Sequence, residues 1–174
     1  RYGSLPTGHA ARYIDTQGQR RLLFADPLPS LTMPDSYEAW KDRSKWESHE
    51  SPTHLDAADG RRVELHRGSV FYDRETKTWL ALFTEKGGEH SYLGDIWLAR
   101  SSTWQGPWEN IERIVTHENY SFYNPLIHNI VIEGNHRYLV FEGTYTAEFT
   151  DRAEPTPRYD YNQILYRVDL SEFP

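Results

Sequence analysis

The sequence predicts an all-β chain of antiparallel hairpins arranged as β-propeller blades, about three of them in an incomplete propeller, with one short helix in a long connection. Three observations lead there. Short apolar runs alternate with turn residues along most of the 174 positions. Eleven Gly and ten Pro supply the turns. A hairpin unit then recurs at Asp15, Asp73 and Glu133, roughly 60 residues apart, a spacing that suits blades with long loops.

The elements follow in chain order. Ala10 to Asp15 and Arg21 to Ala25 flank the turn Thr16-Gln17-Gly18-Gln19. Pro27 to Arg62 reads as a charged surface excursion. It holds a short helix in which Asp35 is expected as N-cap and Glu38 completes a capping box. Gly68 to Asp73 pairs with Trp79 to Thr84, and Asp95 to Arg100 follows as a third strand. Gly106-Pro107-Trp108-Glu109 reads as a tight corner between blades, with Trp108 as an aromatic plug. Ile127 to Glu133 turns through Gly134-Asn135 into Arg137 to Phe141, and Gln163 to Leu170 is the next strand. The expected organisation is one partial propeller domain over 1–174. It divides into a partial blade (1–30), a long connection (31–62) and two blades (63–118 and 119–174).

Composition narrows the function. Nineteen Lys and Arg against 26 Asp and Glu give a net charge of −7, which argues against nucleic acid as a partner. No run approaches the roughly 18 apolar residues of a membrane-spanning helix. The absence of cysteine removes disulfides, thiolate metal sites and a cysteine nucleophile. Only 37% of residues are hydrophobic while 14% are aromatic, so rings rather than aliphatic chains must build the core. The chain starts at Arg1 without a signal-like segment. The expectation is a removed leader or a piece of something longer.

Aligning the three units places a histidine near the start of each first strand (His9, His66, His128) and an acid closing each second strand (Asp26, Glu85, Glu142). In a blade these two places share one rim. The loops 86–94 and 143–162 leave from the same rim, so the expected site lies there. Between Tyr120 and Tyr161 the chain concentrates Tyr123, Asn124, His128, Glu142, Tyr145, Arg158, Tyr159 and Asp160. Aromatic faces stack on the C–H face of a sugar while amides, carboxylates and guanidinium groups take its hydroxyls, so a glycan is the expected ligand. Tyr138, Trp79 and Trp97 lie inside strands and read as core.

The segment IWLARSSTWQGPWE resembles the A-x-S-x-x-x-x-GPW blade signature of the five-bladed β-propeller glycoside hydrolases, families 43, 32, 68 and 117. The runs LHRGSVFYD, THENYSFYNPLIHN, FEGTYT and TPRYDYNQILYRVDL look like the C-terminal blades of a bacterial branch of such propellers with no assigned activity. The resemblance implies hydrolysis by carboxylates near the axis, one as acid and one as nucleophile or base. Glu142 is the expected acid. Glu85, the equivalent position one blade earlier, is the expected partner. The binding set adds His66, Tyr123, Asn124, His128, Tyr145, Arg158, Tyr159 and Asp160. The N-terminal Asp motif of those enzymes is not visible.

Two other functions fit the same residues. A polysaccharide lyase would use His66, His128 or Tyr123 as base and Arg158 to hold a uronate carboxylate. A non-catalytic glycan-binding or scaffold propeller needs only the aromatic rim. No motif demands a cofactor. A central divalent cation such as calcium near His66 or His128 is the one the composition allows, and no protein metal-ligand set is assigned. Expected partners are a glycan and either further N-terminal blades or a second chain that completes the propeller, with no nucleic acid and no membrane. The expected location is secreted or periplasmic, in a bacterium.

Overall fold

The computed structural model describes residues 5–150, 154 and 161–173. These residues form three antiparallel sheets in which neighbouring strands follow one another in sequence. The first contains β1 (His9–Ile14), β2 (Arg20–Ala25), β3 (Pro29–Pro34) and β4 (Glu47–Ser48). The second contains β5 (His54–Asp56), β6 (Arg62–Asp73), β7 (Thr78–Glu85), β8 (Asp95–Ser101) and β9 (Glu109–Thr116). The third contains β10 (Ser121–Glu133), β11 (His136–Thr146) and β12 (Tyr161–Asp169). This is the all-β, propeller-blade arrangement that the hairpin periodicity predicts.

The second sheet is sandwiched between the others, and β7 shows why. Its sequence TWLALFTE is a continuous apolar run because both faces are buried. Trp79, Ala81 and Phe83 join a core shared with Leu23, Ala25 and Leu28 of the first unit. Leu80 and Leu82 point the other way, into a core shared with Phe122, Leu139 and Phe141 of the third. Each fully buried Phe or Leu contributes on the order of 2 kcal/mol of apolar transfer. The aromatic content is thus spent largely at blade interfaces. Trp79, Trp97 and Trp108 all lie in the first core, and Trp108, after the cis Gly106–Pro107 peptide, is the plug expected of it.

Polar residues in the strands tie the second sheet to the third. The Ser69 hydroxyl accepts from the Ile127 N–H at 2.9 Å, and the Thr84 hydroxyl donates to the Phe122 carbonyl at 3.0 Å. Asp73, at the end of β6, holds Arg137 of β11. Burial alone would raise the Asp73 carboxyl. The Thr76 hydroxyl, the Glu75 N–H and the Arg137 guanidinium together bring it below the usual carboxylate range.

Two expectations need correcting. The stretch 31–62 is more than a surface excursion. It carries most of β3, a helix α1 (Tyr37–Lys41), β4 and β5, so the first sheet runs well beyond residue 30. The helix is capped by Ser36, whose hydroxyl accepts from the Ala39 N–H, not by Asp35. Asp35 instead takes Arg12 at 3.2 Å and Arg20 at 3.1 Å. No helix among the described residues is long and apolar enough to cross a membrane.

Candidate functional site

The strands β1, β6 and β10 meet and line a groove of about 590 Å³. Its walls include His9, Arg12, Tyr72, Asp73, His128 and Asn129. Backbone irregularities fall in β6 and β10, and one of them turns His128 into the groove. In β10 the register slips between Ile127 and Asn129, leaving His128 as the extra residue. It slips again between Tyr123 and Leu126, where Asn124 takes a left-handed φ of 55°. Asn tolerates that conformation better than a β-branched residue would. In β6 the slip falls between Leu65 and Gly68, at His66 and Arg67. A bulge breaks the strict alternation of a strand and re-aims the residues within it. The histidines picked out by the sequence repeat are therefore bulge residues in two of the three inner strands.

These bulges assemble a charged rim. The His128 Nε2 stands 3.2 Å from the Glu142 carboxylate, and both side chains remain about 40% exposed (40% and 39%). Arg67 pairs with Asp26 at 3.0 Å. His9 lies within electrostatic reach of both pairs. Burial holds its imidazole below the ordinary range, Asp26 and Glu142 pull it up, and Arg67 pushes it down. His66 is lowered for similar reasons: burial first, then Arg67, with Asp26 opposing. Two carboxylates, one guanidinium and three imidazoles from all three sheets thus share this rim. An imidazole held below its usual range is neutral near pH 7 and can accept or donate a hydrogen bond.

Glu85 does not join them. It ends β7 on the face that carries Phe83, and is only 4% exposed. The Arg61 guanidinium bonds both of its oxygens, at 2.6 and 2.5 Å, and the Trp97 indole N–H donates at 2.9 Å. The expected equivalence of Glu85 and Glu142 fails because of strand alternation: Glu142 sits within β11 opposite Leu126, on the open side, and Glu85 faces the core. The second carboxylate of the rim is Asp26.

Aromatic rings cluster near the start of β10. Tyr123 meets Phe149 edge-on at 5.7 Å and Tyr161 at 6.0 Å, and its hydroxyl is bonded to that of Tyr161. Phe149 and Tyr161 are exposed. Tyr145 packs deeper, against Tyr120 at 5.0 Å and His117 at 5.4 Å, and burial raises its hydroxyl pKa. The expected binding residues Arg158, Tyr159 and Asp160 lie outside the described residues. The structure adds Arg67, whose only sequence signal is its place beside His66, and gives weight to His9 and Asp26, which the repeat had aligned.

The described residues do not assemble a calcium site. Among the described residues no three His, Asp or Glu side chains group as metal ligands. Calcium asks for six to eight oxygens, whereas His128 faces the single carboxylate of Glu142.

No family model and no curated protein matches the chain. Solved structures do. One is an N-acetylgalactosamine deacetylase from F. plautii in complex with blood group B trisaccharide, with a TM-score of 0.52, 8% identity, and 95% of this chain and 50% of that chain covered. Another is an exo-1,5-α-L-arabinanase from a bovine ruminal metagenomic library, with a TM-score of 0.49, 9% identity, and 91% and 52% covered. A glycoside hydrolase family 43 protein of Bacillus licheniformis gives 0.47, 15%, and 92% and 30%. The chain thus spans about half or less of the length of these proteins. At such identities the likeness to the first is one of fold.

Proposed function

We propose that this chain belongs to a glycan-active propeller that hydrolyses glycosidic bonds with carboxylates beside the β1–β6–β10 groove, where His9 and His128 stand. The observation that carries this reading is the convergence of Glu142–His128 and Asp26–Arg67 around His9, with the Tyr123, Phe149 and Tyr161 rings clustered near the start of the strand that carries His128. Glu142 is the acid that protonates the leaving oxygen. A sugar seated over it brings the glycosidic oxygen to that carboxyl. His128 positions that carboxyl through the 3.2 Å contact. Asp26, held by Arg67 at 3.0 Å, is the second carboxylate, placed for attack or for activating water. Tyr123 and Asn124 contact the sugar beside the bulge, and His66 flanks them. Arg158, Tyr159 and Asp160 complete the binding set.

That the structurally similar deacetylase was solved with a trisaccharide supports a glycan as the ligand here. The substrate is a polysaccharide or oligosaccharide of plant, algal or microbial origin, met outside the cell or in the periplasm of a bacterium. Further blades, on the same chain or on a partner, cover the outer faces of the first and third sheets. The 64% exposure of both Ile14 and Leu165 supports such covering.

A glycan hydrolysis screen tests this with Glu142→Gln and His128→Ala. The expected result is reducing-end release that falls by at least about 100-fold in Glu142→Gln and by less in His128→Ala. Products with an unsaturated uronate chromophore would instead indicate a lyase using His66, His128 or Tyr123. Binding without any turnover would leave a glycan-binding scaffold, for which the exposed rings suffice.

A further inference from the structure

At the rim opposite Glu142, the first and second sheets enclose another cleft, of about 980 Å³. It lies where β1 and β6 end and where residues 102–105 leave β8. Its walls are rings: Tyr13 stands 5.7 Å from Trp104 and 6.2 Å from Trp79, and Tyr72 stands 5.1 Å from Trp79. Three of these differ from the true core. Trp79 is buried, but Tyr13, Tyr72 and Trp104 are only partly buried and border open space.

The cleft is edged with hydrogen-bonding groups a packed core has no use for, including the exposed amides of Gln17 and Gln105. Two of its arginines already have counter-ions within the protein. Arg12 pairs with Asp35 at 3.2 Å, and Arg21 with Glu47 at 2.7 Å. Asp15 already accepts from the Gln17 and Gln19 N–H groups at 2.9 and 2.8 Å, and Arg74 is an exposed guanidinium on the same edge that can donate to a sugar hydroxyl. Beside them lie flat apolar faces and neutral amides, the combination that suits the C–H face and hydroxyls of a sugar. Trp104 and Gln105 also line a neighbouring hollow of about 290 Å³, where His49 meets the Trp104 ring edge-on at 4.8 Å. One aromatic and one amide therefore serve two adjoining hollows, which suits consecutive residues of an oligosaccharide.

We propose that this cleft is a second, non-catalytic binding site for a neutral oligosaccharide segment of a polymeric substrate. The proposal rests on the glycan reading of the groove, which it deepens by adding a polymer-holding surface on the opposite rim. Such a site raises the local concentration of polymer at the protein without taking part in bond cleavage.

Native affinity electrophoresis in gels containing arabinan, galactan or xylan tests it, alongside turnover of a short soluble oligosaccharide. The wild-type chain is expected to be retarded in at least one gel. Trp104→Ala should weaken that retardation about tenfold. Gln105→Ala, an exposed change that leaves the core intact, should weaken it about threefold. Trp104→Phe should recover most of it. Turnover of the short oligosaccharide should be unchanged in all three. Melting curves keep a folding defect in Trp104→Ala separate from lost binding, since Gln105→Ala carries the same prediction. If retardation survives Trp104→Ala and Gln105→Ala but disappears in His128→Ala, the second site is overturned and the groove reading stands. If Trp104→Ala loses retardation and no oligosaccharide is turned over, the second site stands and the hydrolytic reading falls. No retardation of the wild type in any of the three gels overturns the proposal.

Discussion

Removing the Glu85 carboxylate should cost stability, whereas removing that of Glu142 should cost function. Glu85 is 4% exposed and satisfied by Arg61 and Trp97. In Glu85→Ala the Trp97 N–H loses a charged acceptor, worth about 1.5–3 kcal/mol. The stranded Arg61 adds to this, but its side chain is 30% exposed and regains water. The total therefore stays below the roughly 3–5 kcal/mol of breaking a fully buried pair. An overall loss of about 2–4 kcal/mol results. For a domain of this size each kcal/mol moves Tm by about 2–4 °C, so the midpoint should drop by roughly 5–15 °C. Glu85→Gln retains an acceptor for Trp97 and should lose about half as much. Glu142→Gln, on a side chain 39% exposed, should melt within about 0.5 kcal/mol of the parent. Differential scanning calorimetry on the three variants reads all of this directly. A Glu85→Gln protein that melts like the parent but has lost all turnover would refute the reasoning, because the carboxylate would then be acting on substrate.

Other consequences can be checked with the same material. His117 is buried, with its Nδ1 bonded to the Gly94 carbonyl at 2.9 Å and its Nε2 2.5 Å from the Tyr166 hydroxyl. Burial lowers its pKa, with the Gly94 carbonyl and Asp95 opposing. The unfolded chain therefore binds the proton more readily. Stability should be full above the unfolded value and fall as pH drops below it toward the folded value. Thermal melts between about pH 7.5 and about pH 5 should show this decline, and His117→Gln should flatten it. At Gly68 a Cβ would overlap the Leu82 carbonyl and crowd the Phe83 Cα at 2.8 Å. At Gly143 it would overlap the Phe122 ring. Gly68→Ala should lose about 1–3 kcal/mol or more in urea titrations, and Gly143→Ala less if the ring can shift. Arg137→Ala frees Asp73 from its partner on β11 and brings its folded-state pKa closer to the unfolded one, so the stability lost on acidification should be smaller, and complete at a higher pH, than in the parent.

The parts of the fold legible in the sequence were those where burial and turn chemistry agree. GSVFYD, WLALFT, DIWLAR and RYLVF are apolar runs between clear turns, and they are strands. PSLTMP was hidden by a proline at each end, yet forms β3. ENIERIVT forms β9 although charged residues mask its pattern, because it is an outer strand whose Ile111 packs into the first core and whose Ile114 and Val115 pack against the second. The candidate site was legible only in part. Matching the three units placed His9, His66, His128, Asp26 and Glu142 on one rim, and the structure gathers them there. The same matching put Glu85 among them, because a repeat in sequence does not specify which face of a strand a residue occupies. The slips at His66–Arg67 and at His128 decide that, and strand pairing sets them rather than any local motif. Asp26 and Arg67 are 41 positions apart, so only the packing of β1 and β2 against β6 could bring them together.

The central claim is that the β1–β6–β10 groove holds the sugar whose bond Glu142 cleaves. A structure of Glu142→Gln with an oligosaccharide that the parent hydrolyses tests it most directly. The account predicts a glycosidic oxygen within hydrogen-bonding distance of the amide that replaces the Glu142 carboxylate, a sugar ring near Tyr123, and Asp26 on the other side of the scissile bond. Sugar density only at Trp104, with an empty groove and undiminished hydrolysis by Glu142→Gln in solution, would contradict it.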